Sequence, residues 1–196
     1  MRPVILALLV ANSLMFAAAQ SNPEAMITGL GLWPPGGGTF RVWQLLSYGF
    51  VHMDLLHLAL NMYALWLFGS PLERTLGSRR FAVYYLSSVV GAGLLHLVVQ
   101  GGLASQGMNA TPVIGASGGT FGLLLGFAWL FPETQLLLLI PPVPVKAKWF
   151  VVGYGVLELV LGVTGSMAGV AHFAHLGGLM AGWLMMRHWY PKYPRR

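Results

Sequence analysis

The chain has no cysteine among its 196 residues, which excludes disulfides and thiolate metal sites and says nothing about compartment. Charge is almost as scarce, at 8% of residues. A soluble domain carries about a quarter, so a freely soluble chain is excluded and the lipid bilayer is the implied solvent. Acidic residues are the scarcest of all, five against eleven Lys and Arg, for a formal charge of +6. That excess would fit nucleic acid only if the cations formed a stripe. They lie between apolar runs instead, and no nucleic-acid partner is expected. No repeat of useful period occurs, and no hydrophilic block is long enough to fold separately. The expectation is a single membrane domain over residues 1–196.

What the chain has in abundance is apolar sequence, 56% of it. Six runs, at about 3–19, 53–69, 80–100, 115–131, 146–164 and 167–187, approach the length that crosses a bilayer as helix. They lack the alternation of barrel strands, so the predicted fold is an all-α, polytopic bundle of six transmembrane helices. Arg2, Arg74, Arg79, Arg80, Lys146, Lys148, Arg187, Lys192, Arg195 and Arg196 fall at one end of these spans, and only Arg41 at the other. The positive-inside rule then puts both termini in the cytoplasm. Arg2, the first apolar run and Ala17-Ala18-Ala19-Gln20 also suit a cleavable signal peptide; five further spans and the charge balance favour retention. The external segment 20–52 carries Trp33, Phe40 and Trp43, which suit an interfacial loop or an ordinary aromatic belt. Pro141-Pro142-Val143-Pro144 reads as a cytoplasmic turn.

Polar residues inside spans are costly and each is a functional candidate. Here they are His57, Asn61, His96, Ser117, Glu158, His172 and His175. The orientation places His57, Asn61 and His175 one to two turns below the outer surface. Ser117 joins them by length, because a helix from Ser117 to Phe131 spans only about 22 Å against a core of about 30 Å. That span must start below the surface, in a watered cavity enclosed by protein. Gly118, Gly122 and Gly126 form one smooth face; Gly178 and Gly182 form another that carries His175. Packing these faces brings a base to a hydroxyl. A neutral imidazole can take the serine proton, while His57 and Asn61, at i and i+4, and the Ser117 amide can donate to an oxyanion. Flanking glycines Gly115 and Gly118 let a substrate backbone approach.

Gly115-Ala116-Ser117-Gly118 resembles the GxSG motif of rhomboid intramembrane proteases. Ala174-His175-Leu176-Gly177-Gly178-Leu179-Met180-Ala181-Gly182 is similar to their AHxxGxxxG motif, and the segment from His52 through His57 to Asn61 to their HxxxxHxxxN pattern. Gly69, Glu73 and Gly77 also match. The resemblance runs from Trp43 to Gly182. It implies a Ser117–His175 dyad, oxyanion donors from His57, Asn61 and the Ser117 amide, transmembrane protein substrates, and no metal or organic cofactor. It also implies a multi-pass protein of the cell (inner) membrane whose active site opens externally; the oligomeric state is left open. Two positions depart from the family: the loop pair Trp-Arg is Trp43-Gln44, and the ring expected to pack on the catalytic histidine is Phe121 rather than Tyr. By the motif register His175 is the base, His172 is not, and His96 and His52 are structural. Glu158 is expected to hold a structural hydrogen bond, with a triad role as the alternative. Zinc on His57, His172 and His175 is conceivable chemically but leaves Ser117 without a role. A non-catalytic rhomboid-like binding or quality-control factor is the main rival; such relatives usually lack the serine or the histidine, and both are present here.

Overall fold

A computed structural model describes residues 2–36, 38–104, 111–138, 142–166 and 171–191. Its described residues form eight helices: α1 (Pro3–Ala19), α2 (Pro23–Leu30), α3 (Gln44–Ser47), α4 (Leu55–Leu76), α5 (Ser78–Ala104), α6 (Ser117–Leu130), α7 (Ala147–Thr164) and α8 (His172–Trp189). The fold is an all-α membrane bundle, and each of the six apolar runs holds a helix among its described residues. Three of them, in α4, α5 and α7, are long and apolar enough to cross a membrane by themselves. Helices α1 and α6 are apolar but shorter, and α8 carries His172, His175, Arg187 and His188 within its 18 residues. Large apolar side chains such as Leu14, Val98 and Val163 are strongly exposed on the helix exteriors, as lipid-facing surfaces require.

The second apolar run stops near residue 69, yet α4 continues through Pro71 to Leu76. The extra turns place Glu73, which is buried, against the start of α1. Its carboxylate accepts the Val4 and Ile5 amides at 3.1 and 3.0 Å and the Ser78 hydroxyl at 2.6 Å. The orphan donors at the α1 N-terminus are therefore capped by a charge from another helix. Gly77, at φ +77°, closes α4, and α5 begins at the next residue.

Helix α8 lies in a seam between α5 and α6. A Cβ on Gly178 would collide with the Gly118 carbonyl oxygen, and one on Gly122 with the Ser88 side chain. At Gly182 it would meet the Tyr84 hydroxyl at 2.6 Å, and at Gly177 the Gly91 carbonyl at 2.7 Å. The small faces thus let α8 press on the backbone of α5 and α6 and admit the Ser88 and Tyr84 side chains, with the Tyr84 hydroxyl donating to the Gly122 carbonyl at 2.7 Å. Gly126 continues the same face of α6, since its Cβ would meet Tyr84 of α5 as that of Gly122 meets Ser88 and that of Gly118 meets Ala92.

Two connections depart from the sequence reading. The proline-rich turn is part of an antiparallel hairpin, β1 (Gln135–Leu137) with β2 (Pro144–Lys146), in the register Leu136↔Val145; Pro141 lies outside the described residues. Three-residue strands are too short to show a period. At its base Glu133 pairs with Lys146 at 2.7 Å and with Lys148, and these two ammonium groups hold its carboxyl down at about 2. The segment between α1 and α4 is a folded unit around Gln44, which is fully buried. Gln44 Oε1 accepts the Arg41 and Trp33 amides at 3.0 and 3.4 Å, and Nε2 donates to the Thr28 and Thr39 carbonyls, both at 3.2 Å. The residue that departs from the Trp-Arg pair is itself the loop's anchor. Leu32 and Val113 exchange backbone hydrogen bonds at 3.0 Å, tying this unit to the strand-like approach to α6.

Candidate active site

Ser117 is the first residue of α6, and the turn before it is held from three sides. Gly115 takes φ +109°, a conformation that L side chains rarely adopt. Its amide donates to the Tyr48 carbonyl at 2.9 Å, and the Ala116 amide donates to His52 Nε2 at 3.3 Å. His52 is thus the structural anchor that the sequence reading made it. A Cβ on Gly115 would lie 2.6 Å from both Cε1 and Nε2 of His57, so the glycine also makes room for that imidazole.

His57 and Asn61 stand at the start of α4, whose N-terminus Asp54 caps by accepting the His57 amide at 2.7 Å. Asn61 Nδ2 donates to the His57 carbonyl at 2.9 Å. A primary amide carries two N–H donors, and one remains after that bond. Both residues line a cavity of about 890 Å³ that also includes Ser117, Phe121, Tyr154 and His175. The cavity runs between α4 and α7, with Ala64 and Phe68 on one side and Phe150 on the other.

The seam of α8 brings His175 to the serine: Nε2 lies 2.8 Å from Ser117 Oγ. Phe121 stacks on the imidazole with centroids 4.2 Å apart and planes 5° from parallel. Tyr154 of α7 then stacks on Phe121 at 5.0 Å. The missing Tyr hydroxyl at position 121 leaves the ring packing intact. Sequence reasoning passed over Tyr154, although it lies one turn before Glu158 on the same face of α7, a spacing that signals a shared surface.

The other polar groups divide. His96 lines the cavity but stays outside the hydrogen-bond chain. Glu158 does not: its Oε2 lies 2.7 Å from His172 Nδ1 and 2.9 Å from His175 Nδ1. The second approach lies off the direction of an aligned hydrogen bond, so its short distance defines the contact. His172 Nε2 faces the Ser166 carbonyl at 3.1 Å. Potential ligand atoms of Glu158, His172 and His175 all fall within 4.8 Å of one another. A three-ligand metal set, if one is used, therefore contains Glu158 and not His57.

Chemically, the arrangement joins a hydroxyl to an imidazole, sets a carboxylate behind that imidazole, and places His57 and Asn61 with the hydroxyl on the wall of one mostly apolar cavity. A family model described as a rhomboid domain matches residues 39–191. The chain is 35% identical over 147 residues to the mitochondrial rhomboid protein 1 of Saccharomyces cerevisiae, covering 75% of this chain and 41% of that protein. It is 30% identical over 162 residues to the rhomboid protease GlpG of Serratia proteamaculans, covering 80% and 51%. With GlpG of Pectobacterium atrosepticum the figures are 27% over 189 residues, covering 95% and 62%. The chain thus spans about half the length of these relatives.

Proposed function

Since the chain belongs to the rhomboid family, and is a multi-pass membrane protein, we propose that it is an intramembrane serine endopeptidase cleaving membrane proteins in or near a transmembrane segment. The observation that carries this reading is the 2.8 Å approach of His175 Nε2 to Ser117 Oγ, made between two helices. Ser117 Oγ attacks the scissile carbonyl carbon and its proton passes to His175 Nε2. The carbonyl π electrons move to oxygen, where the Ser117 amide, His57 and Asn61 donate. The imidazolium then returns its proton to the leaving amine, freeing one product and leaving an acyl-enzyme. A water that loses its proton to His175 hydrolyses the ester and restores Ser117. Apolar walls from α4 and α7 suit a lipid-embedded segment, and irregular substrate backbone is tolerated where the cavity admits water.

The orientation reading is supported by the placement of charge. Ser117, His57 and His172 stand at one end of the bundle, and Arg74, Arg79, Arg80, Lys146 and Arg187 at the other, joined there by the Arg2 end of α1 through Glu73. The positive-inside rule makes the second end cytoplasmic, so the site opens externally. Mitochondrial as well as bacterial relatives match, and the host membrane follows from neither. The test is cleavage of a model transmembrane substrate by purified protein, with Ser117→Ala and His175→Ala in parallel. Both variants should be folded and inactive, and a fluorophosphonate should label only the wild type. A folded wild type that neither cleaves nor labels would make the protein a binding factor.

A further inference from the structure

The dyad leaves a buried carboxylate and a second buried histidine without a task. Glu158 is only 4% exposed and His172 only 5%. An ionised carboxylate at such a place is costly unless paired and hydrogen-bonded. Its two neighbours are the expected catalytic base and His172, and the donor–acceptor inventory of the three constrains their protons. A peptide carbonyl only accepts, so His172 Nε2, facing Ser166, carries a proton. His172 Nδ1 and Glu158 Oε2, 2.7 Å apart, hold one further proton between them. That pair is net neutral, which reconciles its charge with its burial. The same Oε2 faces His175 Nδ1 at 2.9 Å, where a proton on Nδ1 would meet the carboxylate. In that tautomer Nε2 keeps its lone pair toward Ser117, 2.8 Å away.

From this juxtaposition we propose that Glu158 is a positioning residue. It fixes His175 in the tautomer that can accept the serine proton and faces the imidazolium that forms, while His172 neutralises it in the resting state. The inference rests on the protease reading and extends the dyad to a four-residue chain from Ser117 through His175 and Glu158 to His172. The groups facing His175 are Ser117 and Phe121 from α6, Glu158 from α7 and His172 from its own helix. Among these, Glu158 brings the acidic group. Phe121 clamps the ring plane, and a clamp alone does not choose which nitrogen bears the proton.

The experiment compares wild type, Glu158→Gln and Glu158→Asp in detergent for kcat, KM, fluorophosphonate labelling rate and melting temperature. Glu158→Gln keeps the shape and removes the charge. Its kcat and labelling rate should both fall roughly ten- to a thousandfold with KM unchanged, and Glu158→Asp should recover part of the loss. A merely structural role would lower melting temperature and leave the labelling rate per folded molecule alone; that result overturns the proposal. Should the variants not fold, nitrogen NMR of histidine-labelled wild type decides, with His175 assigned by difference from His175→Ala. An Nδ1–H tautomer is expected and an Nε2–H tautomer overturns it. Loss of activity in EDTA, restored by zinc, would also overturn it by making Glu158, His172 and His175 a metal site. A wild type without labelling sinks the protease reading itself; a labelled wild type matched by Glu158→Gln sinks only this one.

Discussion

At the residue scale, His57 and Asn61 face an open choice between chemistry and scaffolding. Asn61 spends one N–H on its own helix, and His57 fills the space above Gly115. Donors aimed at developing charge act on the transition state more than on bound substrate. His57→Ala and Asn61→Ala should therefore lower kcat roughly ten- to a thousandfold each while moving KM little, less than loss of Ser117 because other donors remain. Turnover and melting temperature measured on one preparation separate the roles: normal turnover per folded molecule with a lowered melting temperature would make both scaffolding. The meeting of Ser117 and His175 was legible in the sequence because each sits in a short motif whose glycines are required by contacts now visible, such as Gly178 on the Gly118 carbonyl. For Glu158 the sequence indicated a hydrogen bond or a triad role but not its partners. Its contact joins residues on different helices across a connection, and periodicity reports which face a side chain occupies, never which neighbour meets it. The contacts of Gln44 were hidden for the same reason, since its four backbone partners lie on both sides of a turn.

At the scale of elements, the helices were readable because lipid forces apolar length onto them. What hydropathy missed were parts stabilised by polar contacts: the end of α4, held by the Glu73 cap, and the β1–β2 hairpin, braced by Glu133 and two lysines. The seam of α8 against α5 and α6 bears most directly on the site, because it alone sets the distance between base and nucleophile. Gly178→Val should wedge α8 from α6 at the Gly118 carbonyl. Overpacking of this kind typically costs about 1–3 kcal/mol, seen as a lower melting temperature. Activity should fall much further than stability, since a shift on the order of 1 Å can cost a hundredfold in rate. Gly153→Ala on α7, where an added Cβ meets nothing within 4 Å, should leave both unchanged.

At the scale of the whole molecule, topology can be mapped directly because the natural chain offers no thiol. A single cysteine at Glu133 should react with a membrane-impermeant maleimide only from the cytoplasmic side, and one at Thr39 only from the external side. The reverse pattern would invert the protein and move the active site to the cytoplasm.

Helix α6 has 14 residues, a rise of about 21 Å, and Ser117 crowns it. The depth at which peptide bonds are presented is therefore set by how far the hydrocarbon rises past a fixed protein scaffold. Proteolysis should accordingly respond to the acyl-chain length of the host lipid, as few soluble hydrolases do. In phosphatidylcholine vesicles of increasing chain length, a given substrate should be cut at positions displaced along its helix, and turnover should pass through a maximum. Mass spectrometry of the fragments would register the displacement. Cleavage at one invariant bond in every lipid would mean that side-chain recognition, and not immersion, selects the bond. In the first case the membrane itself would act as the ruler for the proposed protease, and cells that remodel their lipids would shift its cleavage sites without altering a single residue of the chain.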